Sequence, residues 1–164
     1  MEYTFTFEKQ PKSMDELTSL PEASLDSAYK TAALTLVSLL NYKENADLTY
    51  EMLNFLKGPE PLSAYEKQFI RDRLEGKEYK IGSYFKGATT ENGYIPSLPL
   101  TITISDTPNS FAEENWAIVF VKSAGADSPR QIKLRKKPST GQWFLNEIMC
   151  LSDIKVPTAQ DPWA

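Results

Sequence analysis

Apolar residues recur at helical spacing in the first half of the chain and alternate at strand spacing in the second half. In the clearest helical stretch they are separated by three or four positions, which places them on one face of a helix. They are Leu25, Tyr29, Ala32, Leu36 and Leu40. Further apolar residues flank this stripe, so we predict a central helix over residues 24–41.

Other helices are predicted as much from their ends as from their apolar residues. Ser13–Glu16 and Ser63–Glu66 are capping boxes, in which the serine oxygen and the glutamate carboxylate each accept a backbone N–H at a helix start. They predict a short helix after the first box and a longer one that ends at Gly76. A further helix over 48–57 ends at Gly58, because glycine suits the left-handed C-cap.

The second half changes to the two-residue period typical of strands. Residues 82–99 are rich in Gly, Pro, Asn, Ser and Thr and predict a long structured loop, with a short strand near Tyr84. Four strands are predicted at 100–105, 116–121, 131–135 and 142–148, and the alternation of Tyr3, Phe5 and Phe7 with polar residues is compatible with a short leading strand. The segment 116–121 is apolar on both faces, which is typical of a central strand. Gly141 closes a hairpin between the last two strands.

Helices followed by an antiparallel meander predict an α+β fold with three to four N-terminal helices and a sheet of about four strands. We expect a single domain over 1–164. Its helical half covers about 13–76, its sheet half about 82–150 and its tail 151–164. The tail is expected to lie along the body, with Trp163 docked on its own domain, because burying a tryptophan is favourable by about 2–3 kcal/mol.

Several long phrases of the chain resemble one family. They are EMLNFLKGPEPLSAYEKQFIRDR, SYFKGATTENGY, SAGADSPRQIKLRKKPSTGQWFLNEIMCLSDI and the terminal DPWA. In this order they are similar to a family of uncharacterised bacterial proteins, mainly from Gram-positive anaerobes, that forms a domain of unknown function. The likeness covers most of residues 50–164 and implies no activity, cofactor or catalytic residue. The closing hairpin KLRKKPSTGQWFLNEI also resembles nuclear-transport-factor-like folds, which implies a cone-shaped sheet around the helices.

The composition excludes several kinds of site. The 164 residues contain no histidine and one cysteine, Cys150, which excludes Ser-His-Asp triads, Cys-His pairs, His-bearing zinc sites and disulfides within the chain. The net charge of −4 and the pI near 5.0 argue against a dedicated nucleic-acid binder. We find neither a secretory signal nor a bilayer-spanning apolar stretch, and a lone thiol fits a reducing compartment, so we expect a cytoplasmic protein.

Positive charge is concentrated in one predicted strand. Five of the eight basic residues in the second half fall within 130–137. Alternation places Lys133, Arg135 and Lys137 on one face of this strand and its two apolar residues on the other. Such a stripe is suited to phosphates, an acidic partner or a carboxylate ligand. The alternative is a solvated face that discourages edge pairing.

Two loops are further candidates for binding. In Gly125–Arg130, Asp127 and Arg130 would present backbone N–H groups and a guanidinium to an anion, but the spacing of a phosphate loop is missing and a turn with local Asp–Arg pairing is the simpler explanation. Tyr84 and Lys86 suit an aromatic-plus-cation contact, or else the aromatic residues of this loop pack between helices and sheet.

Binding is therefore a better prediction than catalysis. No two carboxylates are spaced for acid–base work beside an apolar pocket. We predict a non-enzymatic protein-interaction or ligand-binding module that uses the basic strand face, with an acidic protein or a small anionic ligand as partner and no cofactor. The alternative is a small enzyme that uses carboxylate, Tyr, Lys or Arg chemistry in a pocket between sheet and helices. Nucleic acid ranks third and membranes are not expected.

Overall fold

The sheet is an antiparallel meander in which each strand pairs with its neighbours in sequence. In the computed structural model, which describes residues 1–164, five strands lie in the order β1-β2-β3-β4-β5. They are β1 (Glu2–Phe7), β2 (Leu100–Ser105), β3 (Trp116–Val121), β4 (Arg130–Lys137) and β5 (Gln142–Met149). The α+β prediction is confirmed, with five strands rather than about four because the N-terminal segment joins the sheet beside β2.

The helices lie between β1 and β2 in sequence. They are α1 (Met14–Thr18), α2 (Ala28–Leu39), α3 (Ala46–Lys57), α4 (Ala64–Leu74) and α5 (Tyr79–Gly82), with 3₁₀ turns at Pro21–Ser24 and Thr158–Gln160. The central helix predicted from periodicity is α2, and ten of its twelve residues are buried. Because it contacts β2, β3, β4 and β5, α2 supplies most of the layer that covers the sheet.

Alternation along the strands divides the sheet into an inner face, which packs on the helices, and an outer face. The buried inner-face residues are Phe7, Leu100, Ile102, Ile104, Ala117, Val119, Val121, Ile132, Leu134 and Leu145. Burying each of the larger aliphatic side chains contributes about 1.5–3 kcal/mol. The inner face therefore supplies much of the energy that fixes the positions of the outer face.

Side-chain caps decide where the helices begin. Ser13, Ser27, Asn45 and Ser63 each accept the backbone N–H three residues ahead. The capping box at Ser63 is complete, since Glu66 also accepts the Ser63 N–H at 3.0 Å. The box at Ser13 is only half formed, because Glu16 accepts the N–H of Lys12 at 2.7 Å instead.

The segment after α4 differs from the prediction. One helical turn, α5, precedes the loop, and no strand forms at Tyr84. Tyr84 is instead buried, and its hydroxyl donates to the carbonyl of Cys150. A single turn is too short to leave a periodic pattern, and the contact with Cys150 joins residues far apart in sequence. Periodicity therefore could not find either feature.

The loop after α5 fills a gap in the sheet. β2 and β3 pair through only two residues each. Where they separate, the Lys86 N–H donates to the Thr101 carbonyl and the Ala124 N–H donates to the Ser83 carbonyl, both at 2.9 Å. The backbone of residues 83–86 thus provides hydrogen-bond partners that a complete β2–β3 ladder would otherwise supply.

The C-terminal tail lies along the body, as predicted, but Trp163 does not dock there. Ile154 and Pro157 are buried, whereas Trp163 is 92% exposed. The Asp161 carboxylate accepts the Trp163 N–H at 2.8 Å, which forms a tight turn at the chain end. The expectation that Trp163 is buried on its own domain is therefore wrong.

Candidate functional site

The outer face of β3 carries apolar side chains that no helix covers. Trp116, Ile118 and Phe120 are partly exposed and lie outside the buried core. The other three residues of β3 face the helices and are buried. The apolar character of β3 on both faces therefore reflects its position between two other strands and also creates an apolar strip on the open side of the sheet.

Two basic residues of β4 lie over this strip. In the antiparallel register Trp116 is opposite Arg135, and Ile118 is opposite Lys133. Lys133 Nζ lies 4.8 Å and the Arg135 guanidinium carbon 5.0 Å from the centroid of the Trp116 ring. A cation over an exposed aromatic face gains about 0.5–1 kcal/mol. We call Trp116, Ile118, Phe120, Lys133 and Arg135 together the outer-face patch.

A cleft of 260 Å³ adjoins the outer-face patch. It lies between the β4–β5 hairpin and the loop after α3, and its charged lining residues are Lys57, Arg135, Lys136, Lys137 and Glu60. Glu60 is 75% exposed and only 3.5 Å from Arg135, so this surface ion pair contributes little. The cleft, which we call the basic cleft, is continuous with the outer-face patch through Arg135.

A buried lysine anchors the basic cleft. The Lys57 side chain is 6% exposed, and its Nζ lies 2.9 Å from Glu66 Oε2 and 3.1 Å from the Asn146 carbonyl oxygen. Partial burial of Glu66 opposes its ionisation, but hydrogen bonds from the Ser63 N–H and the Lys57 ammonium outweigh this and lower its pKa. The ion pair therefore joins α3 to α4, and the hydrogen bond from Lys57 to the Asn146 carbonyl joins α3 to β5.

A bulge in β5 provides the carbonyl that Lys57 binds. Lys133 pairs with Glu147 but Leu134 pairs with Leu145, so Asn146 has no partner in the ladder. Close to the bulge, the Phe144 ring packs directly against Gly58, which has a φ of +64° and leaves no room for a Cβ. The sequence marks Gly58 as a helix end, but no local pattern marks either the bulge or this contact.

The structure gives the predicted pair of Tyr84 and Lys86 different surroundings. Both line a groove of 590 Å³ on the outer face, where β2 and β3 diverge. The Tyr84 hydroxyl is turned inward, whereas Lys86 is exposed. The polar residues that share the groove with Lys86 are Glu2, Thr4, Ser83, Thr101, Thr103, Ser105, Lys122 and Ser123.

Asp127 and Arg130 are not gathered into one site. Asp127 is exposed and forms no ion pair with Arg130. Arg130 instead donates from Nη2 to the Asp153 carbonyl at 2.8 Å, and its buried Nε has no partner. Arg130 therefore connects β4 to the C-terminal tail.

Sequence reasoning missed Lys80, the last-but-two residue of α5. It is 2% exposed, and its Nζ donates to the Leu151 carbonyl at 3.1 Å with no carboxylate within ion-pair distance. Burial, with a smaller effect from the charge of Lys77, lowers its pKa, while Asp153 partly opposes this shift. Lys80 lies between the predicted helix end at Gly76 and the loop predicted from residue 82, where no pattern signals burial, so only the packing of α5 could reveal it.

We expect Lys80→Met to be at least as stable as the wild type. Because the folded-state pKa of Lys80 is lowered below its unfolded value of about 10.4, the unfolded chain binds more protons at this residue between the two values, and the contribution of Lys80 to the free energy of unfolding rises with pH over that interval. Buried tyrosines titrate in the same range but are common to both proteins, so the stability difference between the wild type and Lys80→Met should move in favour of the wild type as the pH rises. Urea unfolding of both proteins at several alkaline pH values measures this difference, and a difference that does not change with pH would contradict the assignment.

Outside these clefts the structure offers few reactive groups. No three acidic or thiol side chains lie close enough together to hold a metal ion. Burial raises the pKa of the Cys150 thiol to about 12, so it is protonated and unreactive near neutral pH. None of the helices has the length and apolar character needed to cross a membrane.

The comparisons with known proteins identify a family but no activity. Neither the curated proteins nor the solved structures include a match. The resemblance of the closing hairpin to nuclear-transport-factor-like folds therefore stays a prediction. A family model described as a domain of unknown function matches residues 9–158, which include every helix and the four strands β2 to β5. The chain belongs to this family, DUF6935.

Proposed function

We propose that the protein is a non-enzymatic interaction module that binds an acidic segment of a partner protein through the outer-face patch and the basic cleft. The observation that carries the proposal is the placement of Lys133 and Arg135 over the Trp116 ring, on a sheet face that no helix covers. We also propose a reducing, cytoplasmic setting, because a lone buried thiol suits such a compartment.

The chemistry of this surface fits a protein partner. Tryptophan and arginine are enriched at the centres of protein interfaces, where a large apolar ring and a planar cation are desolvated together. Trp116 and Arg135 supply this combination, and Ile118 and Phe120 extend the apolar part along β3. An acidic segment that also carries an apolar side chain would complement both features.

Charge favours an acidic partner. The protein has a net charge of −4, yet the basic cleft has four basic lining residues and one acidic one. A local positive region on an acidic protein steers anionic groups to this one place. The 260 Å³ volume of the cleft is below the range of about 300–1,000 Å³ for sites that enclose a small molecule, which favours a partner side chain over a complete ligand.

The alternative function, a small enzyme, needs a polar cavity between helices and sheet. That interface is filled by apolar side chains such as Leu34, Leu36 and Val119, all fully buried. The polar clefts lie at the surface instead. The geometry therefore supports binding better than catalysis in an enclosed site.

The test is the charge reversal Lys133→Glu with Arg135→Glu. A fluorescein-labelled peptide of alternating glutamate and leucine serves as the probe, and fluorescence anisotropy measures its affinity. We expect the double variant to bind about 100-fold more weakly, because two attractive contacts become repulsive. The indole N–H signal of Trp116 in an NMR spectrum should shift on titration in the wild type only.

The matched control is Lys43→Glu with Lys77→Glu. Both lysines are exposed, lie outside the outer-face patch and change the net charge by the same amount. Affinity in this control should stay within about twofold, since distant exposed charges are screened by salt. An equal loss in both variants would show a net-charge effect, and no loss in Lys133→Glu/Arg135→Glu would remove the proposed surface.

A further inference from the structure

The two edge strands of the sheet differ in whether their outward backbone groups are already hydrogen-bonded. On β5 the edge is bulged, the Trp143 N–H donates to the Leu25 carbonyl at 2.7 Å, and Lys57 binds the Asn146 carbonyl. On β1 the pairing with β2 is continuous, and the strand EYTFTF contains no lysine, proline or bulge. Of the usual devices against edge pairing, which are bulges, prolines and charged side chains, β1 has only the charge of its first residue, Glu2.

The direction of the free backbone groups of β1 follows from the register. The Asp106 N–H donates to the Met1 carbonyl at 3.0 Å. In the β1–β2 ladder, Met1 and Asp106 are opposite each other, in the position next to the pair of Glu2 and Ser105. Hydrogen-bonded and non-hydrogen-bonded pairs alternate along an antiparallel ladder. The odd-numbered residues of β1 therefore bond to β2, while Glu2, Thr4 and Thr6 direct their N–H and C=O groups to the open edge.

The far side of β2 provides an independent check of this assignment. Thr6 is opposite Thr101. The Thr101 carbonyl accepts the N–H of Lys86 at 2.9 Å and so points away from β1. This is expected if Thr6 and Thr101 form a non-hydrogen-bonded pair, which leaves the Thr6 N–H and C=O at the free edge.

We propose that β1 pairs with β1 of a second copy of this chain, in an antiparallel arrangement about a two-fold axis at Thr4. With Thr4 opposite Thr4 of the partner, Glu2 is opposite the partner's Thr6, and every edge-facing amide and carbonyl of these residues is satisfied. No like charges meet in this register. Centring the pairing at Phe5 instead would place Glu2 opposite Glu8, which is unfavourable.

Side chains on the inner face support the same register. Tyr3 is 39% exposed and Phe5 is partly buried, and a two-fold axis at Thr4 places each Tyr3 opposite the other copy's Phe5. Aromatic residues in a non-hydrogen-bonded pair lie close together and stabilise strand pairing. The axis is perpendicular to the sheet, so both outer-face patches lie on the same side of the dimer and remain free to bind one partner.

Thr4→Pro is the variant that tests this pairing. Proline removes the edge-facing N–H of residue 4 but no hydrogen bond to β2, and proline is accepted on edge strands. The matched control Thr4→Val keeps the N–H and loses only the hydroxyl contact with Thr103, which spans 2.9 Å. Light scattering after size-exclusion chromatography should give twice the 18.5 kDa chain mass for the wild type and Thr4→Val, and 18.5 kDa for Thr4→Pro.

Amide hydrogen exchange of the wild type decides the matter without a variant. In a monomer the Thr4 and Thr6 amides face solvent and exchange fast, whereas those of Tyr3 and Phe5 are protected. In the proposed dimer the Thr4 and Thr6 amides become protected as concentration rises. A wild type that stays monomeric, a Thr4→Pro protein that still dimerises, or a dimer whose Thr4 and Thr6 amides remain unprotected would each overturn the proposal.

Discussion

Gly82→Ala is expected to lower the free energy of unfolding by about 3 kcal/mol, the upper part of the range for overpacking a core. Gly82 is buried at the end of α5, and an added Cβ would overlap the carbonyl oxygen of Tyr94. The obstacle is backbone, so no rotamer change can relieve it. The Tyr94 N–H donates to the Thr89 carbonyl at 2.9 Å and its hydroxyl to the Lys155 carbonyl at 2.6 Å, so Tyr94 is held through both its backbone and its side chain.

Gly93→Ala is the control for this substitution. Gly93 has a φ of +71°, but a Cβ there would meet no atom within 4 Å. Its replacement should cost only the left-handed backbone penalty of about 1 kcal/mol. Guanidinium unfolding curves of the two variants measure the difference, and equal losses would mean that contact with Tyr94 is not what excludes a side chain at Gly82.

Glu66→Gln is expected to cost about 2 kcal/mol of stability. The glutamine can still accept the Ser63 N–H, but the buried Lys57 ammonium loses its counter-ion. Removing one partner of a buried pair costs about 3–5 kcal/mol. We expect less here because the Glu66 side chain is 36% exposed and water screens the pair. Urea unfolding at neutral pH measures the loss.

The pH dependence of this effect has a definite sign. Because the folded-state pKa of Glu66 is lowered, its contribution is fully present above the unfolded value of about 4.3 and is lost as the pH falls through the folded-state pKa. The stability difference between the wild type and Glu66→Gln should therefore be constant near neutral pH and shrink on acidification below about pH 4.3. A difference that does not shrink would show that charge is not its origin.

Two further variants separate the ion pair from other effects. Adding Lys57→Met to Glu66→Gln should restore much of the lost stability, since neither charge then remains buried. Glu44→Gln breaks the exposed pair with Lys12, in which both side chains are at least 60% exposed, and should change stability little. If Glu44→Gln and Glu66→Gln behave alike, burial of Lys57 is not important.

The local parts of the fold could be predicted because their causes lie within a few residues. The cap at Ser63 and the reciprocal bond from the Ser63 N–H to the Glu66 carboxylate span three positions, and Gly141 turns the β4–β5 hairpin within four residues. Alternation also placed Lys133 and Arg135 on the face opposite Ile132 and Leu134. These features depend on backbone sterics and nearest neighbours, which the sequence displays directly.

The candidate site could be predicted only in part. The basic strand was visible, but the sequence contains no sign that Trp116 lies beneath Lys133 and Arg135, because that contact depends on the β3–β4 register. Nor could it show that Lys57, at the end of a helix, is buried at the rim of the same surface. Asp127 and Tyr84 satisfied local criteria for binding. In the fold, however, Asp127 is exposed and forms no ion pair with Arg130, and the Tyr84 hydroxyl is buried against the Cys150 carbonyl.

What the sequence determined by itself was the set of elements, their ends and the limits on chemistry set by the absence of histidine. What only the tertiary structure decided was which charges meet, which lysines are buried and which sheet edge is open. Lys80 and Lys57 are chemically alike in the sequence, but one is buried against a carbonyl and the other against Glu66. The physical reason is that burial and pairing across distant segments depend on how helices and strands pack, whereas periodicity reports only the neighbours along one element.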